Sequence, residues 1–288
     1  MERGRVGLKR EESKLEWSKT KTIFIFIFAI LNVFLYSVYI NQHNQAQNVE
    51  VLGSLSIVES LKLDNITYEE FPEEEMSSSY VSAKVKHFTV EEVATLENQN
   101  TSIIDNVSLR SYMKDLPKLT KDADGHYMVE DFLKRYVWSG EQYKVWEWNE
   151  ETRVLTLYQT VADEPIYYSP HGKLELHLNE SDEVVRYDQT ALEQFVSFNQ
   201  KKNILTPFEA ISSLATKGYL KQNSHIESVV LGYSTLVQFT ETQVFAPTWH
   251  VRVLLDDGEV EHHFINAIEG KVIDFQMDEG RVYEEGSE

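Results

Sequence analysis

Apolar and polar positions follow two regimes along this chain. From Ile23 to Ile40 the residues run Ile-Phe-Ile-Phe-Ile-Phe-Ala-Ile-Leu-Asn-Val-Phe-Leu-Tyr-Ser-Val-Tyr-Ile, without a charge and without a polar face. As a helix rising about 1.5 Å per residue, this stretch is about 27 Å long, close to the hydrocarbon thickness of a bilayer. The pattern predicts a transmembrane helix over 22–40, with 1–21 before it and a polar stalk over 41–48 after it. The apolar run is longer than the core of a cleaved signal peptide, and no small-x-small pair closes it, so an uncleaved signal anchor is expected.

Beyond the stalk the period changes. Thr89-Val-Glu-Glu92 is a capping box and predicts a short helix, because the threonine hydroxyl and the glutamate carboxylate satisfy each other's orphan backbone amides. Tyr127–Val137 has helical apolar spacing. Arg153–Thr160 and Ile166–Ser169 are β-branched and aromatic, and Lys173–Leu178 alternates, with Leu174, Leu176 and Leu178 on one face. Thr206-Pro207-Phe-Glu209 starts a helix expected to end near Gly218. Strands are then expected over Ile226–Val237, Thr248–Leu255, Glu259–Ile265 and Lys271–Phe275, with Asp257-Gly258 as a hairpin turn. Asp64–Met76, which holds Glu69, Glu70, Glu73, Glu74 and Glu75, is expected to be a solvated acidic loop or edge. Strands around few helices, joined by short turns, indicate the α+β class with antiparallel sheets.

Charge adds topology. The 288 residues contain 27 Lys+Arg against 47 Asp+Glu, a formal charge of −20, and no cysteine. The first 21 residues carry +3, the apolar segment carries none, and 41–288 carry −23. Lys19 and Lys21 precede the span and no cation directly follows it, which places the N-terminus in the cytoplasm and the bulk of the chain outside. Tyr36 and Tyr39 fall near the outer end, where amphipathic rings favour the headgroup layer. Ala29, Asn32, Tyr36 and Tyr39 form one helical stripe, and an amide in hydrocarbon seeks a second helix, so this stripe is the expected transmembrane contact. So acidic a body argues against a nucleic-acid partner, which calls for Lys/Arg patches.

The search for chemistry is short. Absent cysteines exclude disulfides, thiolate metal sites and a cysteine nucleophile. His262 and His263 are adjacent on a strand and point to opposite faces, while His250 and His262 could meet across a hairpin without a third ligand. Asp122-Ala-Asp-Gly125 lacks the alternating ligands and closing glutamate of a calcium loop and reads as a turn. No phosphate-binding, dinucleotide, serine-hydrolase or zinc-protease motif is present, and no catalytic residue, cofactor or metal site is assigned.

Three stretches carry a resemblance. Glu16-Trp-Ser-Lys-Thr-Lys-Thr-Ile-Phe-Ile25 with Ile30-Leu-Asn-Val-Phe-Leu35 resembles the membrane start of the YycI (WalI) family. Tyr167-Tyr-Ser-Pro-His-Gly-Lys-Leu-Glu-Leu-His-Leu178 with Val184-Val-Arg-Tyr-Asp188 is similar to the same family. So is Pro247-Thr-Trp-His-Val-Arg-Val253 with Glu269-Gly-Lys-Val272. The resemblance implies a single-pass, non-catalytic membrane protein with two extracytoplasmic α+β domains, placed here at 49–148 and 149–288, the second ending in an acidic tail. It also implies partners: a WalK-like (YycG) sensor histidine kinase, reached through the transmembrane helix, and a YycH-like protein. The pathway would be the WalK–WalR system controlling cell-wall metabolism in a Gram-positive bacterium, with any extracytoplasmic ligand unidentified. Family members usually begin near the equivalent of Glu16, so residues 1–14 are expected to be non-native, with translation starting at Leu15. Two alternatives stay open: an anchored wall hydrolase using scattered carboxylates, and a PepSY-like envelope binding or protease-inhibiting module.

Overall fold

The computed structural model describes residues 17–47, 54–71, 75–239 and 241–275. The expected start at Leu15, the end of the stalk at Asn48, the acidic positions Glu73 and Glu74, and the acidic tail lie outside the described residues. The uncharged run lies in a 31-residue helix, α1 (Trp17–Gln47). This helix continues through Asn41–Gln47, where a stalk was expected, since that segment has no glycine or proline to break the backbone ladder. Among the described residues no helix is long and apolar enough to cross a membrane.

The chain divides into two compact units, Met1–Ser54 and Leu55–Glu288. After α1 come α2 (Ser54–Leu63), β1 (Thr67–Tyr68), β2 (Met76–Ser78), β3 (Val81–Val85) and α3 (Val90–Val93). Next are β4 (Gln99–Ile104), β5 (Ser108–Met113), β6 (Thr120–Lys121), β7 (Tyr127–Met128) and α4 (Glu130–Tyr136). β8 (Tyr143–Asn149), β9 (Val154–Val161), β10 (Glu164–Tyr167), β11 (Lys173–Leu178) and β12 (Val184–Thr190) follow. β13 (Leu192–Ser197), β14 (Lys202–Ile204), α5 (Pro207–Thr216), β15 (His225–Gln238), β16 (Thr242–Leu254), β17 (Val260–Asn266) and β18 (Val272–Ile273) complete the order.

Local chemistry accounts for many of these elements. Both expected capping boxes form: Thr89 and Thr206 each accept from the backbone amide three residues on, and Glu92 and Glu209 return the bond. β11 alternates as expected, with Leu174, Leu176 and Leu178 buried. The helix expected from Tyr127 starts three residues later, because Tyr127 and Met128 pair with Lys121 and Thr120 in a small hairpin. The segment expected to be an acidic loop or edge contains the short strand β1, which pairs in parallel with β15.

The fold is mixed α+β, dominated by a large and mostly antiparallel sheet. Fourteen strands among the described residues join it, in the order β13-β3-β16-β15-β10-β9-β11-β12-β5-β4, with β1 on β15, β17 and β18 beyond β16, and β8 on β9. The pairings of β15 with β1 and β10 are parallel. One core runs from Phe88 to Ala191 in sequence and packs Phe132, Leu133 and Tyr136 of α4 against Leu155, Leu157, Leu174 and Leu176. A second core gathers Ile57 and Leu61 of α2, Ile211 and Leu214 of α5, and Trp249, Val251 and Ile265. Position 148, where a division was expected, falls inside β8, and the first core draws on residues from both sides of it. The reason is pairing: β5, before that point, takes β12, after it, as its partner.

Candidate functional site

A third buried cluster, Val81, Ala83, Ile166, Leu192, Tyr233 and Phe245, takes Ile166 from β10. The turn from β9 into β10 uses Ala162 and Asp163, with φ of 50° and 70°, the left-handed pair that suits a tight hairpin. β10 then leaves β9 after Glu164 and Pro165 and runs parallel to β15, where Ile166 pairs with Tyr233 and Tyr167 with Ser234. This crossing puts Tyr167 and Tyr168 beside the β16–β17 hairpin.

Trp146 reaches the same place from β8. The pairing of β8 with β9 shifts register between Val145 and Glu147, so Trp146 is the extra residue of a bulge, a feature that re-aims a side chain. Its ring lies 4.9 Å from His250, 5.2 Å from His262, 5.5 Å from Tyr167 and 5.7 Å from Tyr168. His250 pairs with Phe264 across the hairpin, and His262 is its diagonal neighbour on the same face. The two imidazoles stack at 5.0 Å and 15°, with Nε2 of His250 and Nδ1 of His262 sharing a hydrogen bond of 2.8 Å. Only one of those nitrogens can carry the shared proton, so the bond requires at least one neutral ring.

Burial sets the electrostatics. Desolvation, helped by the neighbouring imidazoles and Arg252, pulls the His250 pKa down to about 3. Desolvation also lowers His262 and His263, and raises Tyr158, Tyr167 and Tyr168. Arg252 is held by Glu227 and Lys221 by Glu261, so the nearby cations are paired. A base as weak as His250 has little use in proton transfer near neutral pH, and the arrangement is suited to packing and binding.

Beside this cluster lies a pocket of about 250 Å³ lined by Tyr168, Tyr219, His262, His263, Phe264 and residues 272–275. β18 pairs with Phe264 and Ile265, and past its end Asp274 and Phe275 border the opening. Tyr168 has a φ of 52°, a conformation costly for an aromatic residue and retained where packing over-determines it. Here the packing comes from Phe275 at 4.7 Å, Phe264 at 5.4 Å and Tyr158 at 5.6 Å.

The residues singled out from sequence lie elsewhere. Ala29, Asn32 and Tyr36 are exposed on α1, while Lys19 and Tyr39 are described by backbone alone. Lys21 is also exposed. Asn32 donates from Nδ2 to the Phe28 carbonyl at 2.8 Å, one turn back. Ala29 lines an open apolar hollow with Phe24, Ile25 and Phe28. Asp122, Asp124 and His126 each bring one possible metal-ligand atom within 4.8 Å of the others, all exposed. There Asp122 Oδ1 already accepts the backbone amides of Asp124 and His126, as a turn-forming carboxylate does. Spacing showed that His250 and His262 could meet; nothing local pointed to Trp146, Tyr168 or Tyr219, whose signal is only aromatic type.

Comparison with known proteins adds a family. The family model described as YycI protein matches residues 44–268, most of the chain. The matched span includes the stretches Tyr167–Asp188 and Pro247–Val253, and excludes Glu16–Leu35. No curated protein matches. Among solved structures, an uncharacterized protein from Eubacterium rectale is similar at 12% identity, over 74% of this chain and 92% of that one, with a TM-score of 0.45. The Bacillus megaterium YpeB C-terminal domain is similar at 12% identity, over 77% and 95% of the two chains, with a TM-score of 0.37.

Proposed function

Because the chain belongs to the YycI family, a family of non-catalytic regulators of the WalK (YycG) sensor kinase, we propose that α1 anchors it in the membrane and meets that kinase there. The match over 44–268 carries the regulator role and sets aside the wall-hydrolase alternative, while the anchor and its contact are supported by the sequence of α1. The uncharged residues Ile23–Ile40 supply the anchor, and Lys19 and Lys21 hold its start in the cytoplasm. The large sheet and its two cores then lie outside the membrane, joined in the assembly by a YycH-like protein.

The contact runs along Ala29, Asn32, Tyr36 and Tyr39. Asn32 commits one of its two amide hydrogens to the Phe28 carbonyl, which lowers the cost of an amide in lipid and leaves Oδ1 and the second hydrogen to bond a second helix. Such bonds contribute about 0.6–2 kcal/mol, so Asn32→Leu should weaken helix association several-fold rather than abolish it.

Affinity capture from membranes tests the reading. The intact chain should retain a histidine kinase, and a version whose span is replaced by an unrelated apolar helix should lose it. Equal retention by both would place the contact outside the membrane. Within the span, Asn32→Leu should reduce cross-linking to the kinase helix; unchanged cross-linking would remove the stripe from the account.

A further inference from the structure

We propose that the pocket beside β18 binds a protonated amine, an alkylammonium group held against the rings of Tyr168, Tyr219, Phe264 and Phe275, with Asp274 as its counter-charge. The proposal is independent of the membrane partnership: kinase capture through α1 can succeed or fail without altering it.

The lining decides the charge of the ligand. The lining contains four aromatic rings, and the negative quadrupole of such a ring draws a cation. Phe264 stands edge-on to Tyr168 at 87° and to Phe275 at 81°, so the rings form walls at right angles. Asp274 is exposed at the opening and, among the described residues, is the one formally charged member of the lining. No lysine or arginine among the described residues lines the cavity, and the nearby Lys221 is taken up by Glu261 at 2.6 Å. An anion would find no cationic side chain among those residues, whereas the −20 charge of the whole chain raises the local concentration of cations.

His263 decides between kinds of cation. Its Nε2 is buried without a hydrogen bond, 3.4 Å from the Glu261 carboxylate. Burial lowers the pKa of this imidazole, against the raising effect of the Glu261 and Asp274 carboxylates. A buried polar atom without a partner is unusual in a native protein. A primary ammonium offers three N–H donors, enough for an imidazole nitrogen and a carboxylate together, while a quaternary ammonium offers none. The cavity of about 250 Å³ has room for an aminoalkyl group.

The test uses the full chain in non-ionic detergent micelles, with ring-labelled histidines followed by NMR. n-Butylammonium should shift the His262 and His263 signals saturably, and n-butanol, its neutral counterpart, should not. Asp274→Asn should weaken binding about fivefold, as expected for losing one nearby charge at a surface. Phe275→Leu, which keeps an apolar side chain but removes a ring, should weaken it about threefold. An acetylated lysine amide separates the sources: binding as tight as the free amine assigns a peptide lysine, and exclusion assigns a small free amine. Equal binding of butanol and butylammonium, an unaltered affinity in Asp274→Asn, or no saturable shift would overturn the proposal. Because Asp274 is exposed, that variant should keep the fold even if Phe275→Leu does not.

Discussion

At position 232 the chain has a glycine because there is no room for anything else. A Cβ built there would meet the ring of Tyr167 and lie 2.6 Å from the Pro165 carbonyl oxygen, so alanine must push β10 away from β15. Gly232→Ala should lower stability by about 1–3 kcal/mol, the usual cost of overpacking. Thermal denaturation would read this as a lower midpoint, and an unchanged midpoint would mean that β10 shifts freely. The sequence offers Gly232 as one glycine among strand residues, and its closeness to Tyr167 arises from pairing between distant segments. Trp146 is a similar case. Its type is visible in the sequence, but the bulge that turns it toward His250 depends on the register that β8 adopts against β9.

Elements were legible where their cause is local. The Thr206 capping box and the alternation of β11 need only neighbours in sequence, and both form as expected. The Tyr127 helix starts late because its first residues are taken by a strand pairing that helical periodicity cannot register. The β16–β17 hairpin brings its own prediction. With His250 held at about 3 in the folded chain and near 6.5 unfolded, the unfolded state binds more protons in the interval between. Stability from this group is therefore complete above the unfolded value and is lost as pH falls through it toward about 3. Urea midpoints should drop on acidification, and His250→Gln should flatten that dependence relative to the parent chain. Parallel curves for the two proteins would mean that His250 titrates alike in the folded and unfolded chain.

At the scale of the molecule, the two cores interleave. Residues 88–191 build one, while the other takes α2 from before that stretch and α5 with β15–β17 from after it. A fragment of 49–148 would carry β4, β5 and α4 without β9, β11 and β12, against which they pack. Such a fragment should show no cooperative unfolding transition, and a sharp transition would establish 49–148 as a domain in its own right. By itself the sequence determined the long uncharged run, the charge contrast across it, the α+β class, the helix caps and the family. These features depend on composition and on spacings of a few residues. The tertiary structure alone decided that β10 leaves β9 for β15, that Trp146 faces the histidine pair, and that a ring-lined pocket opens beside β18. Those outcomes rest on strand partners far apart in sequence, where register is set by competing pairings across the whole sheet and leaves no local pattern.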